Sequence, residues 1–367
     1  MKKKLLFAIA PLFLLAGCQS TFGPGAIQNT HNAYNQSIIN TLNQQMLLNL
    51  VRLRYRDEVY FLKVSSVTAA LSFGGSFGVN AELNLGSGGN LLMPNLGMAY
   101  VDKPTISYQP LQGEDFLKSV LSSISLEAIL VMTQSGWSVE RIFGICVERI
   151  NNLHNASSAS GPTPEIAPKF KKFKQVLGLF RELQVKGNME IGPDLDLETK
   201  NESLRILFEA DGMDYASLYT LRGLLGFVDE KRTVPTGMVK ISSNFLKQKD
   251  NELTMRTRSI SSVLFYLSQN TEVPAEHISQ GLVTQTRTPD GEIFDWEKTP
   301  AGQVFKIYSS EDLPKKAYLA IPYRDHWFYI KDNDLNSKST FMMLMQLFDL
   351  QAGQSKYSGP TLTLPVR

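Results

Sequence analysis

Several groups of residues in this 367-residue chain have the types that chemistry needs, and spacing decides between them. Gly74-Gly75-Ser76-Phe77-Gly78 spells the G-x-S-x-G of a nucleophile elbow. An elbow requires a strand, a sharp turn and a helix, so that the serine hydroxyl stands beside an oxyanion hole. Here the alternation of apolar and polar residues runs straight through, and the match is compositional. Asp332-Asn333-Asp334 opens like a calcium loop, yet the positions that need Gly and Glu hold Ser337 and Met343. Ser337-Lys338-Ser339-Thr340 lacks the preceding glycines whose amides cradle phosphate, and is expected to cap a helix. The four histidines, His31, His154, His277 and His326, show no spacing that sets two ligands on one face of an element. No catalytic residue, metal site or cofactor is therefore expected from local motifs. The remaining group is Tyr323, His326, Trp327 and Asp332, aromatic and polar side chains around the two-residue link Arg324-Asp325. Such a cluster can hold a small ligand or glycan, or be an ordinary hairpin with half-buried aromatics.

The chain begins Met1-Lys2-Lys3-Lys4, is nearly all apolar from Leu5 to Leu15, and reaches Leu15-Ala16-Gly17-Cys18. A basic start, a short apolar run and small residues before a cleavage point make a secretory signal over residues 1–17. The run is too short to span about 30 Å of hydrocarbon as a helix. Leu-Ala-Gly-Cys resembles the lipobox of bacterial lipoprotein precursors. That resemblance implies cleavage before Cys18, a diacylglycerol on its thiol and acylation (palmitate and similar chains) of the new amine. Gln19, where a retained lipoprotein of a Gram-negative bacterium carries Asp, implies delivery to the outer membrane, facing the periplasm. Several acyl chains on one residue make a stable anchor, and residues 18–28 are the lipidated cysteine and its tether. Only Cys146 then remains, so no intramolecular disulfide can form; within Ile145-Cys146-Val147 it reads as a small buried hydrophobe. Two further stretches, Arg54-Tyr55-Arg56-Asp57 and Tyr323-Arg324-Asp325-His326-Trp327-Phe328-Tyr329, resemble those of Gram-negative lipoproteins to which no activity is attached.

The elements that must position these residues follow from periodicity. Tyr34, Ile38, Leu42, Met46 and Leu50 recur every four positions and predict an amphipathic helix over Asn29–Leu53, with Arg52, Arg54 and Arg56 at its C-terminal end. Period-two alternation from Val67 to Leu85, a turn at Gly86–Asn90 and a second extended run to Tyr108 predict one long β-hairpin over 67–108, with Pro94 interrupting its second strand. An apolar face opposite a small polar one is also the pattern of a transmembrane hairpin, although one hairpin cannot close a barrel and several copies would have to share it. Helices are expected after Gly113: one capped by Ser125, one capped by Ser138 and running to Leu153, and one after Pro168 with Phe170, Phe173, Val176, Leu177, Phe180 and Leu183 on one stripe. After Gly187 strands and helices alternate, ending in a helix capped by Ser337. The expectation is an α+β chain: a mainly helical N-terminal half, 29–186, with the hairpin inserted, then a mixed α/β half, 187–367.

Removing the three leader lysines from 37 basic residues leaves 34 against 35 acidic, a net charge of −1, which excludes a nucleic-acid partner on electrostatic grounds. The sequence points to a lipid-anchored structural or assembly component of an envelope complex, with the membrane as one partner and other proteins or further copies of the chain as the rest. A lipid-anchored periplasmic ligand-binding protein, and an enzyme whose residues converge only on folding, stay open as alternatives. One prediction is direct: Cys18→Ser abolishes incorporation of a labelled fatty acid and leaves the chain unanchored, and labelling that persists in the variant would sink the lipidation reading.

Overall fold

The computed structural model describes residues 24–68, 71–82, 91–102, 105–195, 202–209, 215–227, 237–245, 252–352 and 362–365. The leader, Cys18 and the expected turn Gly86–Asn90 lie outside them. Along the chain come α1 (Pro24–Arg54), β1 (Leu62–Thr68), β2 (Leu71–Glu82), β3 (Leu91–Asp102), β4 (Thr105–Pro110), α2 (Glu114–Leu121), α3 (Leu126–Gln134) and α4 (Val139–Cys146). Then follow β5 (Val147–Ile150), β6 (Leu153–His154), α5 (Lys171–Val185), β7 (Met189–Leu195), β8 (Glu202–Phe208), α6 (Tyr215–Leu225), β9 (Gly237–Ser242) and β10 (Glu252–Thr257). The last are α7 (Ile260–Ser268), α8 (Ala275–Ser279), β11 (Tyr308–Ser310), β12 (Ala317–Tyr323), β13 (His326–Lys331), α9 (Leu335–Ala352) and β14 (Leu362–Pro365). The fold is mixed α+β. No described helix is long and apolar enough to cross a membrane.

The chain divides into two compact units. The first gathers residues 1–42, 60–112 and 357–367; the second gathers 43–59 and 113–356. In the first, β1 and β14 both pair antiparallel with β4, while β2 and β3 pair with each other from Leu71↔Asp102 to Glu82↔Leu91. Thr68 faces Thr105, and Leu71, three residues on, faces Asp102, three residues back. The β2–β3 ladder thus keeps the register of Ser66–Thr68, beyond a β-bulge between Val64 and Ser66. Strand β3 runs through Pro94, which sits opposite Val79. A two-stranded ladder leaves each strand one outer edge, and a proline can face that edge without removing a ladder hydrogen bond.

The second unit is organised around a six-stranded sheet in the order β6-β5-β10-β9-β8-β7, in which β9 and β10 run parallel. This ladder spans the 186/187 boundary expected from sequence: β5 and β6 come from before it and pair, through β10, with strands from after it. Helix α5 buries Phe173, Val176, Leu177, Phe180 and Leu183, with Phe180 edge-on to Phe143 and stacked on Phe208. Full burial of each such side chain contributes about 1.5–3 kcal/mol, and the stripe faces this core while Lys171 and Lys172 stay exposed.

Arg258, 1% exposed, stands where this core meets the end of α4. The last carbonyls of a helix have no intrahelical partner, and here each finds one. Arg258 Nη1 donates to the carbonyls of Ile145 (3.1 Å) and Val147 (3.0 Å), and its backbone N–H donates to Cys146 (2.7 Å). Asn155 Nδ2 donates to Gly144 (2.8 Å) and Val147 (2.7 Å). Arg258 Nη2 donates to the Asn155 carbonyl, and the guanidinium lies 4.1 Å over the Tyr266 ring, whose hydroxyl donates to Asn155 Oδ1 (3.1 Å). Burial pushes the Cys146 thiol up to about 12, so this cysteine is an inert part of the core.

Several boundaries differ from expectation. Ser125 and Ser138 do cap α3 and α4, accepting from the Ala128 and Arg141 amides. Helix α4 stops at Cys146, short of Leu153, because Val147–Ile150 are drawn into the sheet by β10. Ser337 is not the cap of the final helix: Asp334 accepts from the Ser337 amide at 3.0 Å and its hydroxyl at 2.7 Å, and the helix begins at Leu335. Ser337 is buried instead, its hydroxyl accepting from the Lys306 amide. Arg258→Met preserves bulk but strips the donors from Ile145, Val147 and Asn155. It is expected to lose about 3–5 kcal/mol of stability by urea denaturation; a loss below about 1 kcal/mol would show that water replaces the guanidinium.

Candidate functional site

The site lies within the second unit, where the end of α1, the β12–β13 turn and α8 converge. Helix α1 ends in a Schellman motif: the Asp57 amide donates to the Arg52 carbonyl at 2.9 Å and the Arg56 amide to Leu53 at 3.2 Å. The motif needs a left-handed residue, usually Gly, and here it is Arg56, at φ 62°. This reversal carries Tyr55 and Asp57 towards the hairpin. Strands β12 and β13 close through Tyr323↔His326, leaving Arg324 (φ 49°) and Asp325 (φ 61°) as a two-residue turn with both central residues left-handed. Asn-Gly is the usual solution for such a turn. A non-Gly residue there costs about 1–2 kcal/mol, so the surrounding contacts must hold Arg324 in place.

Those contacts come from α1. Asp57 Oδ2 accepts from the Tyr323 hydroxyl and, at 2.9 Å, from Arg324 Nη2, while Arg324 Nε donates to the Tyr323 oxygen at 3.1 Å. The Arg324 guanidinium also lies 5.2 Å from the Tyr55 ring centre, and Tyr55 meets Tyr323 edge-on at 5.4 Å. The stretches Arg54–Asp57 and Tyr323–Tyr329 are thus direct neighbours in the fold. Burial pushes the Asp57 carboxyl up, but the hydrogen bonds from Tyr323 and Arg324 outweigh it and hold it below its ordinary value. The bonds that Arg324 donates to the Tyr323 oxygen and to Asp57 hold it firmly protonated.

Behind this clamp stand two imidazoles. His277 Nδ1 shares a 2.8 Å hydrogen bond with the buried Tyr55 hydroxyl, and the His277 and His326 rings meet at 4.9 Å, tilted 68°. Glu276 Oε1 lies 3.6 Å from His277 Nε2 and 3.5 Å from His326 Nδ1. His277 is buried, and desolvation first, then His326, pulls its pKa down despite the opposing Glu276 charge. It is therefore neutral at pH 7, with a lone pair to offer.

Of the four residues marked from sequence, the structure brings Tyr323 and His326 together here. Trp327 alternates to the opposite face of β13, on the side of Tyr329 and Tyr308. Asp332 lies beyond the far end of that strand, where it pairs with Lys338 at 2.7 Å and belongs to the start of α9. The histidine spacing concealed His277, and Tyr55, Asp57 and Glu276 were not marked at all. The one signal in the sequence was the Tyr-x-Asp following a helix end that lacks its usual Gly.

The Asp57 anchor predicts a pH effect. Because the folded pKa is depressed, its contribution is fully present above the unfolded carboxylate value near about 4 and is lost as pH falls through the lower folded value. Asp57→Asn should lower Tm at pH 7 by at most about 2–4 °C, since the pair is partly exposed. It should also flatten the acid limb of stability below about pH 4. An unchanged acid limb in scanning calorimetry would show that Asp57 does not hold the turn.

No protein-family model, curated protein or solved structure matches this chain.

Proposed function

We propose that this chain is a lipid-anchored component of the Gram-negative outer membrane that faces the periplasm and assembles with other envelope proteins or with further copies of itself. The observation that supports this best is the β2–β3 ladder, twelve paired positions in the same register as Ser66–Thr68 against Thr105–Ser107. We read residues 67–108 as one long β-hairpin within a mainly helical N-terminal half. Cross-strand partners at one set of register positions are Phe73–Tyr100, Phe77–Leu96, Val79–Pro94 and Ala81–Leu92. The other set pairs Ser72, Gly74, Ser76, Gly78 and Asn80 with Val101, Ala99, Gly97, Asn95 and Met93. Glycines contribute little packing and low strand propensity, which suits a contact arm better than a folding core. Among the described residues the ladder has no third strand, and its outer edges are the groups that pair with an added strand.

The test removes only the arm. Because Thr68 and Thr105 are already cross-strand neighbours, residues 71–102 can be replaced by a short Gly/Ser turn. In a chain that also carries Cys18→Ser, Tm should stay within a few degrees. In the lipidated chain, cross-linking from detergent-solubilised membranes should lose its high-mass species. Collapse of the fold on deletion, or a clean monomer before it, would overturn the reading. If the arm crosses lipid in a shared barrel, Phe77→Lys should cost about 2–4 kcal/mol near mid-membrane and Ser76→Lys little.

A further inference from the structure

We propose that Glu276, His277 and His326 bind one divalent transition ion of the zinc class. Two imidazoles and a carboxylate are the donor types such an ion takes, and three protein donors leave one position of a tetrahedron free. In a tetrahedron with bonds of about 2.0–2.1 Å, neighbouring donors stand about 3.3–3.4 Å apart. Glu276 Oε1 lies 3.6 Å from His277 Nε2 and 3.5 Å from His326 Nδ1, and all the donor atoms fall within 4.8 Å of one another. The carboxylate oxygen stands within tenths of an ångström of the coordination spacing to each imidazole, and Glu276 is 58% exposed and free to adjust; the two imidazole donors, within 4.8 Å of each other, close on the ion by small ring rotations.

Three further features favour an ion over a chance meeting of side chains. First, His277 is oriented from behind. When its Nδ1 carries the proton it donates to the Tyr55 hydroxyl, leaving Nε2 as a bare acceptor, the outer-shell arrangement typical of metal-bound histidines. Second, His326 is set by the left-handed turn, whose conformation Asp57 and Tyr323 enforce through Arg324. The nearby Arg324 charge is engaged by that carboxylate, so it does not oppose a cation unscreened. Third, Glu276 and His326 line an open depression together with Pro274, Ser310, Glu311 and Asp312. Its acidic rim favours cations and gives the free coordination position access to water. The Arg324 carbonyl is the competing partner: it lies 3.3 Å from His326 Nδ1 and also accepts from His277. Binding displaces the imidazole protons from that carbonyl.

The proposal is independent of the arm and of the anchor. Its test is titration of the purified full chain with ZnCl2 by calorimetry, beside the visible absorption of the Co2+ form. One equivalent should bind, Co2+ should give the intense bands of a tetrahedral site, and Zn2+ should raise Tm by mass action. Glu276→Gln and His326→Gln should abolish the Co2+ bands and the Tm rise. Tyr55→Phe, which keeps the ring and removes the hydroxyl, should weaken binding about 10–100-fold. His31→Ala and His154→Ala should change nothing. X-ray absorption of the Zn2+-loaded native chain should count two imidazoles, a readout that does not depend on any variant folding. Absence of stoichiometric binding, a spectrum without imidazole, or binding that survives in folded Glu276→Gln and His326→Gln proteins would each overturn the proposal.

Discussion

The second unit depends on how one helix ends. The C-terminus of α4 is buried, and a buried carbonyl without a donor costs about 1–3 kcal/mol. Arg258 and Asn155, both from later in the chain, supply those donors between them. The guanidinium has no carboxylate in direct contact among its hydrogen bonds; the negative end of the helix dipole and the face of Tyr266 offset its charge. This single side chain joins the end of α4, the loop at Asn155–Ser160 and the start of α7. Strand β5 can begin one residue after the helix because the reversal is already satisfied.

The same device, a chain reversal held by a side chain, builds the candidate site at the surface. Arg56, Arg324 and Asp325 all occupy left-handed conformations that glycine would adopt without penalty. Conformations of this kind persist only where the surroundings over-determine them, and they cluster where geometry serves a purpose. Here the Asp57–Arg324–Tyr323 hydrogen bonds are the surroundings, and the position of His326 is what they determine.

Legibility in the sequence followed the range of the interactions. Helix α5 is set by local periodicity and by residues within a turn or two, and the stripe from Phe170 to Leu183 shows it near its observed limits. Helix α4 ended early because β10, more than a hundred residues later, claims Val147–Ile150; no local pattern carries that competition. The site was half visible for a similar reason. A helix announces ligands at i and i+4, whereas Glu276 and His277 are adjacent and His326 is fifty residues away on a hairpin. Trp327 and Asp332 looked like part of it by proximity in sequence, but strand alternation turns one away and strand length carries the other off.

Strand β14 has a consequence for how the protein comes into being. Strand β4 is central in its three-stranded sheet, yet one of its two neighbours, Leu362–Pro365, follows about 250 residues after it. During synthesis, β4 is therefore an edge strand until those residues have been made. Its exposed amides and carbonyls are open to any extended segment nearby, including the same strand of another nascent copy. A chain that lacks Leu362–Pro365 would therefore carry an adhesive edge on β4 that the three-stranded sheet conceals.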